Sequence, residues 1–182
     1  MYHEGKIIKL KVWIPIIIYV IILVIIITHV LQHKHHDWQY FTLVTLWIYA
    51  LAIGCLCFTP ASYNWGSVHK VFFYFHGVPY NIIPFQALSL EFFLNVIMTI
   101  PAGCYAFFDR QHHGKYWSIW LGLAIGCGIE ITQFLINLFF GVERFADIDD
   151  IITNFLGVQI GYLIIWLLNR TPLHSWFDEL QL

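Results

Sequence analysis

Charge is scarce in this chain: Asp, Glu, Lys and Arg together make up 11% of its 182 residues, where soluble domains run near 25%. With so little charge to solvate a surface and 59% of residues hydrophobic, a water-soluble globule is excluded and an integral membrane protein is indicated. Basic residues are few as well. A formal net charge of −2 supplies no footprint for nucleic acid, and no run of like charge suggests an acidic or basic tail. The four cysteines, Cys55, Cys57, Cys104 and Cys127, lack the paired loop spacing of a zinc site or disulfide framework and read as small apolar packing residues. There is no HExxH, no Gly-x-Ser-x-Gly and no P-loop, which removes the usual warrants for a zinc protease, a serine hydrolase or a nucleotide hydrolase. Internal repeats and low-complexity linkers are absent too.

Apolar runs are what the chain has in quantity. At about 20 residues per crossing, spans are expected near residues 12–31, 41–59, 90–108, 117–140 and 151–169, giving an all-α, polytopic bundle of about five transmembrane helices. The first run follows Lys6, Lys9 and Lys11 but is too long for a typical signal-peptide core and lacks a small-residue cleavage site, so it reads as a retained, lipid-facing anchor. Pro60 ends the second. Residues 61–89 are too interrupted by Asn64, Gly66, Gly77, Pro79, Asn81 and Pro84 to span as a helix. Their many aromatic rings suit an interfacial segment or a short re-entrant loop. Lys34, Arg110, Lys115 and Arg170 vote for one side as cytoplasmic, with Lys70 and Arg144 outside; the amino-terminal lysines vote the other way.

The few polar residues inside the spans carry the functional expectation, because an ionisable group in the hydrocarbon costs from about 2.5 kcal/mol upward and is kept when paired, water-lined or functional. Glu91, Asn95, Thr99 and Ala102 share one face of the third span, which Pro101 and Gly103 then interrupt. Glu130, Gln133 and Asn137 share a face of the fourth, with Gly122, Gly126 and Gly128 offering close approach. Around the start of the fifth, Arg144, Asp147, Asp149 and Asp150 gather. Asp147, Asp150, Asn154, Gly157 and Gly161 form a continuous stripe through which that helix is expected to pack, and Asp147 is placed to cap it.

From these residues a substrate-binding set of Asn95, Glu130, Gln133, Arg144, Asp147, Asp150 and Asn154 is expected, with Glu130, Asp147 and Asp150 as candidate catalytic acids and bases. Arg144 suits a phosphate or carboxylate; the amides suit sugar, amide or carbonyl groups. Paired carboxylates also suit acid–base steps or a divalent cation, though neither has a diagnostic spacing here. No metal site or cofactor is indicated. His33, His35, His36, His112 and His113 read as exposed loop residues.

An ordered set of motifs resembles the VanZ-like family of bacterial membrane proteins: Asn81-Ile-Ile-Pro84-Phe85, Asn95 with Pro101-Ala-Gly103, Glu130 with Gln133, and Arg144-Phe-Ala-Asp147-Ile-Asp149-Asp150-Ile-Ile-Thr-Asn154-Phe-Leu-Gly157 with Gly161. Ala102 stands where many relatives have a bulkier apolar residue. The resemblance covers residues 41–169, leaving 1–40 as an additional anchor and loop and 170–182 as a short polar tail. It implies a small bundle in the bacterial cytoplasmic membrane, with some relatives associated with reduced susceptibility to teicoplanin and related lipoglycopeptides. The expected role is to bind or modify an envelope lipid or lipid-linked wall component. A lipid or solute translocator and a non-catalytic structural protein are the alternatives.

Overall fold

In a computed structural model, which describes residues 10–32, 37–60, 70–87, 90–109, 113, 116–172 and 180, the chain forms five long helices: α1 (Ile14–Leu31), α2 (Asp37–Phe58), α3 (Leu90–Phe108), α4 (Trp117–Phe140) and α5 (Ile148–Leu168). Each is long and apolar enough to cross a membrane. The protein is a multi-pass membrane protein. Three short strands complete it: β1 (Phe73–Phe75), β2 (Val78–Asn81) and β3 (Ala146–Asp147).

The helices stop where their sequences require. Pro60 follows α2, and Gly141 ends α4 in the left-handed conformation (φ 69°), its amide bonded to the Asn137 carbonyl at 2.9 Å, the usual device for turning a chain out of a helix. Asp147 caps α5 as its position suggests, its carboxylate accepting the Asp149 amide at 2.9 Å.

Glycine sets how closely the helices approach. A methyl group on Gly161 would lie 1.9 Å from the Ile100 carbonyl oxygen, on Gly157 2.3 Å from that of Val96, and on Gly103 2.0 Å from that of Val158. The α3–α5 contact is therefore backbone against backbone, as small residues permit between membrane helices. Helices α4 and α5 pair antiparallel: Ser118 meets Gln159, Gly122 meets Phe155, Gly126 meets Ile151 and Glu130 meets Asp147. The glycines of the stripe expected on α5, Gly157 and Gly161, pack on α3, while α5 meets α4 through Ile151, Phe155 and Gln159. Gly128, by contrast, has nothing within 4 Å of where a side chain would begin.

Helix α1 is mostly exposed along Ile17, Ile18, Ile21, Ile22 and Ile25, as a lipid-facing anchor should be. It docks through Tyr19, whose hydroxyl donates to the Ala50 carbonyl at 2.7 Å and whose ring occupies the space beside Gly54. Cys57 is buried in the cluster of Ile16, Phe58, Ile129, Ile136 and Val142, and all four cysteines are free. Between α1, α2, α3 and α4 lies an apolar cavity of about 600 Å³, lined by residues including Tyr49, Ala50, Ala102 and Ile125.

The connection between α2 and α3 is a β-hairpin where it is described. Phe73 pairs with Tyr80 and Phe75 with Val78, around a turn in which His76 and Gly77 both have positive φ, as a two-residue primed turn demands. The small sheet was not anticipated from the sequence, although aromatic residues on both sides of a glycine-containing pair are its signal.

Candidate functional site

Helix α4 runs ten residues beyond Glu130 to Phe140, about 15 Å at 1.5 Å per residue. The chain then comes back. Residues 141–147 return alongside α4 until the Asp147 amide donates to Glu130 Oε2 at 2.9 Å. The fifth helix therefore begins part-way along the fourth rather than at its end. Strand β2 is drawn to the same level by parallel pairing with β3, Asn81 beside Asp147. Phe75 and Tyr80 of the hairpin pack on Phe134 of α4. Two non-helical segments thus enter the depth of a spanning helix, which is tolerated only where protein satisfies their backbone groups.

Asp147 supplies much of that satisfaction. One carboxylate oxygen accepts from Lys70 Nζ at 2.7 Å; the other accepts from Asn81 Nδ2 at 2.9 Å and from the Asp149 amide. With the Lys70 side chain 8% exposed and that of Asp147 1%, this is a buried ion pair. Burial alone disfavours the Lys70 ammonium, but its hydrogen bond to Asp147 and the charges of Asp147, Asp150 and Asp149 outweigh that and raise its pKa above the ordinary lysine value. Gln86 ties the hairpin's ends together, donating to Asn81 Oδ1 at 2.6 Å and accepting from the Val71 amide at 2.7 Å. Asp149 accepts the Phe85 amide at 2.7 Å, holding a non-glycine residue at φ 59°, a conformation that costs roughly 1–2 kcal/mol.

Glu130, Asp147 and Asp149 are sealed, at 2%, 1% and 2% exposure. Asp150 is only half-buried. Its carboxylate lies near the Asn95 side chain and within electrostatic reach of Glu91; both of those are half-buried as well. Asn154, one helical turn further along α5, is 1% exposed, and its Oδ1 has no hydrogen-bond partner.

The remaining members of the sequence-predicted set sit elsewhere. Arg144 does not engage the aspartates: its guanidinium donates to the Leu56 carbonyl at 2.8 Å and the Thr59 carbonyl at 3.2 Å. Gln133 donates to the Cys57 carbonyl at 3.2 Å, and the Asn137 side chain donates to the Arg144 carbonyl. Together Arg144 and Gln133 satisfy carbonyls that the end of α2 leaves without helical partners, an interaction that also suits the negative end of the helix dipole. Removing it should show. The Arg144→Ala variant is expected to lose about 1.5–3 kcal/mol of stability, the range for hydrogen bonds to charged groups, measured by denaturant titration in detergent. Arg144→Lys should recover only part, since an ammonium lacks the planar fork that spans both carbonyls.

Lys70 and Asn81 are central partners that the sequence did not assign to the site. The signal was a solitary lysine in an aromatic, non-helical segment on the same side as Arg144. Of the histidines, His33, His35, His36 and His112 lie outside the described residues; His113 pairs with Asp109 at 3.0 Å and stacks on Trp117. Among the described residues no group of three or more His, Cys, Asp or Glu side chains is placed to hold a metal ion.

The family model VanZ/LLP1 matches residues 46–169, more than half of the chain and all of the region that builds this site. The chain belongs to the VanZ-like family. Comparisons with curated proteins and with solved structures give no match.

Proposed function

We propose that this VanZ-like protein binds or modifies an envelope lipid, or a lipid-linked cell-wall component, in the bacterial cytoplasmic membrane and thereby lowers susceptibility to teicoplanin and related lipoglycopeptides. The observation that carries this reading is the division of labour among the acids. Glu130, Asp147 and Asp149 are sealed into a lattice that holds the hairpin and the return loop in place, whereas Asp150, with Asn95 and Glu91, stays half-buried at its edge. A membrane protein that spends three sealed carboxylates on positioning a fourth, reachable one invests heavily in that one group.

In this reading Asp150 and Asn95 contact the ligand, Asn154 lies behind them, and Glu130, Asp147 and Lys70 are positioning residues. The return loop and hairpin lie at one end of the bundle. By the distribution of basic residues in the core loops, that end faces outward, where lipid-linked wall components are used. Gln133 and Arg144 act through the end of α2 rather than on the ligand. Any modification would use Asp150 as the acid or base in reach of substrate.

Cells expressing wild type or Asp150→Asn at equal membrane abundance test the proposal through lipoglycopeptide susceptibility and retention of labelled drug. Asp150→Asn is expected to abolish the wild-type difference from empty-vector cells. Equal responses from wild type and variant would overturn the proposal. Incubating purified protein with envelope lipid extract and following masses then separates turnover from retention.

A further inference from the structure

The cavity between the first four helices is long, narrow and graded in polarity. On α4 its wall follows one helical face from Trp117 through Leu121, Ala124 and Gly128 to Thr132, a length of about 22 Å at 1.5 Å per residue. Spread over that length, its volume of about 600 Å³ gives a mean section of about 27 Å². A helix, about 10–12 Å across with its side chains, does not fit. One extended hydrocarbon chain does. Small residues keep the space open: Ala50 of α2, Ala102 and Ala106 of α3, and Ala124 and Gly128 of α4 all line it, and a methyl group on Gly128 would meet nothing within 4 Å. Between membrane helices such residues ordinarily bring backbones together, as they do between α3 and α5; here they border a gap instead.

The hydroxyls of Tyr19 and Tyr49, which lie along its length, both turn to backbone, donating to the Ala50 carbonyl at 2.7 Å and the Met98 carbonyl at 3.0 Å. Among the described lining residues, the buried polar atom without a partner is Trp117 Nε1, at the end where α4 begins. His113 stacks on the same ring and pairs with Asp109 at 3.0 Å. The sequence joining α3 to α4, residues 109–116, holds Arg110 and Lys115 against that single acid. One end therefore offers a hydrogen-bond donor and a positive balance of charge, and the rest is predominantly hydrocarbon. Water does not settle in an apolar space of this kind. Unfilled, it would forgo packing contacts on the scale of a protein's whole folding free energy.

We propose that this cavity holds one acyl chain of an anionic glycerophospholipid, inserted from the end at Trp117, whose indole N–H donates to an ester or phosphate oxygen of the lipid. Chain and headgroup match the two parts of the site: apolar length for the one, a donor and positive charge for the other. This site is separate from the one around Asp150. Its mouth at Asp109 lies about 27 Å along α3 from Glu91, at the opposite end of the bundle. In the orientation proposed above, the lipid comes from the cytoplasmic leaflet.

The test incubates the full-length protein, purified in detergent, with phosphatidylglycerol carrying a photoactivatable diazirine near the end of one palmitoyl chain. After illumination, peptide mass mapping is expected to place the label on residues 124–132 of α4 or the facing residues 46–53 of α2, at least fivefold above residues 17–25 of the lipid-facing α1. Unlabelled dipalmitoyl phosphatidylglycerol should compete at least fivefold better than dipalmitoyl phosphatidylcholine, dioctanoyl phosphatidylglycerol or a polyprenyl phosphate. Gly128→Leu, which grows a side chain where a methyl group meets nothing, should cut labelling at those sites at least fivefold with helical content unchanged by circular dichroism. Trp117→Phe, which keeps the ring and removes the N–H, should narrow the advantage of phosphatidylglycerol. If a variant does not fold, the wild-type labelling pattern and competition series still decide. Label spread evenly over α1, α2 and α4 would overturn the proposal, as would equal competition by phosphatidylcholine or stronger competition by the polyprenyl phosphate. Drug susceptibility plays no part in this readout, so failure here leaves the Asp150 reading standing, and failure there leaves this one.

Discussion

Replacing Gly161 with alanine is expected to be the most damaging single-methyl addition in the protein. The new methyl would lie 1.9 Å from the Ile100 carbonyl oxygen and 2.9 Å from its carbon, and neither atom is the end of a flexible side chain that can swing aside. Helices α3 and α5 would have to separate, taking Asn95 away from Asp150. Overpacking a tight core usually costs about 1–3 kcal/mol and sometimes more; a collision with backbone belongs at or beyond the top of that range. Gly157→Ala should behave similarly, with Val96 and Thr99 in its path, whereas Gly128→Ala meets nothing within 4 Å and should be neutral or slightly stabilising, since alanine is the better helix former. Unfolding of the three variants in detergent, followed by circular dichroism, provides the check. Equal stability for Gly161→Ala and Gly128→Ala would show that the backbone contact does not exist.

The second large effect is expected at Asp147. Alanine there removes the counter-charge of Lys70, the partner of Asn81 and the cap of α5 in one substitution. Breaking a buried pair by deleting one member costs about 3–5 kcal/mol, chiefly because the other charge is left stranded. Lys70→Met alone should also be costly, because it strands the carboxylate. The double variant Asp147→Ala with Lys70→Met should therefore be more stable than the sum of the single losses predicts. A double-mutant cycle on thermal stability measures that difference, and limited proteolysis between residues 70 and 87 should report loosening of the hairpin in each single variant. Additive losses would mean that the two side chains do not form the pair described.

Much of this architecture was legible without coordinates, and particular residues show why. Five apolar runs of spanning length are set by composition, so the helices fall within a few residues of where the sequence places them. The start of α5 is earlier, at Ile148 rather than residue 151, because the polar Asp149 and Asp150 are part of the helix, where they lie in its first turn behind the Asp147 cap. The stripe of Gly157 and Gly161 follows from helical period alone, and so does its burial. The hairpin was obscured by its aromatic content, which reads equally as interfacial anchoring.

The candidate site divided differently. That Glu130, Asp147, Asp150 and Asn95 come together follows from putting polar groups on the inner faces of neighbouring helices. Arg144 could not be assigned in the same way. Its sequence neighbours are acids, but its nearest acceptors in space are the carbonyls that end α2, 85 and 88 residues away in the chain. Lys70, 77 residues before Asp147, reaches its partner only because a hairpin carries it into the depth of the bundle.

By itself, the amino-acid sequence determined the solvent in which this protein folds, the number and extent of its spans, and the faces through which α4 and α5 pack. Those properties depend on local hydrophobicity and helical period, and each is a matter of a few consecutive turns. Tertiary structure alone decided which charge meets which, and which carboxylate is left within reach, because those outcomes depend on helix register and on how far a returning loop descends. Asp147 and Asp150 are three residues apart, one capping α5 and the other in its first turn, yet one is locked to a lysine and the other stays half-buried; only the packing of α3, α4 and the hairpin around them makes that distinction.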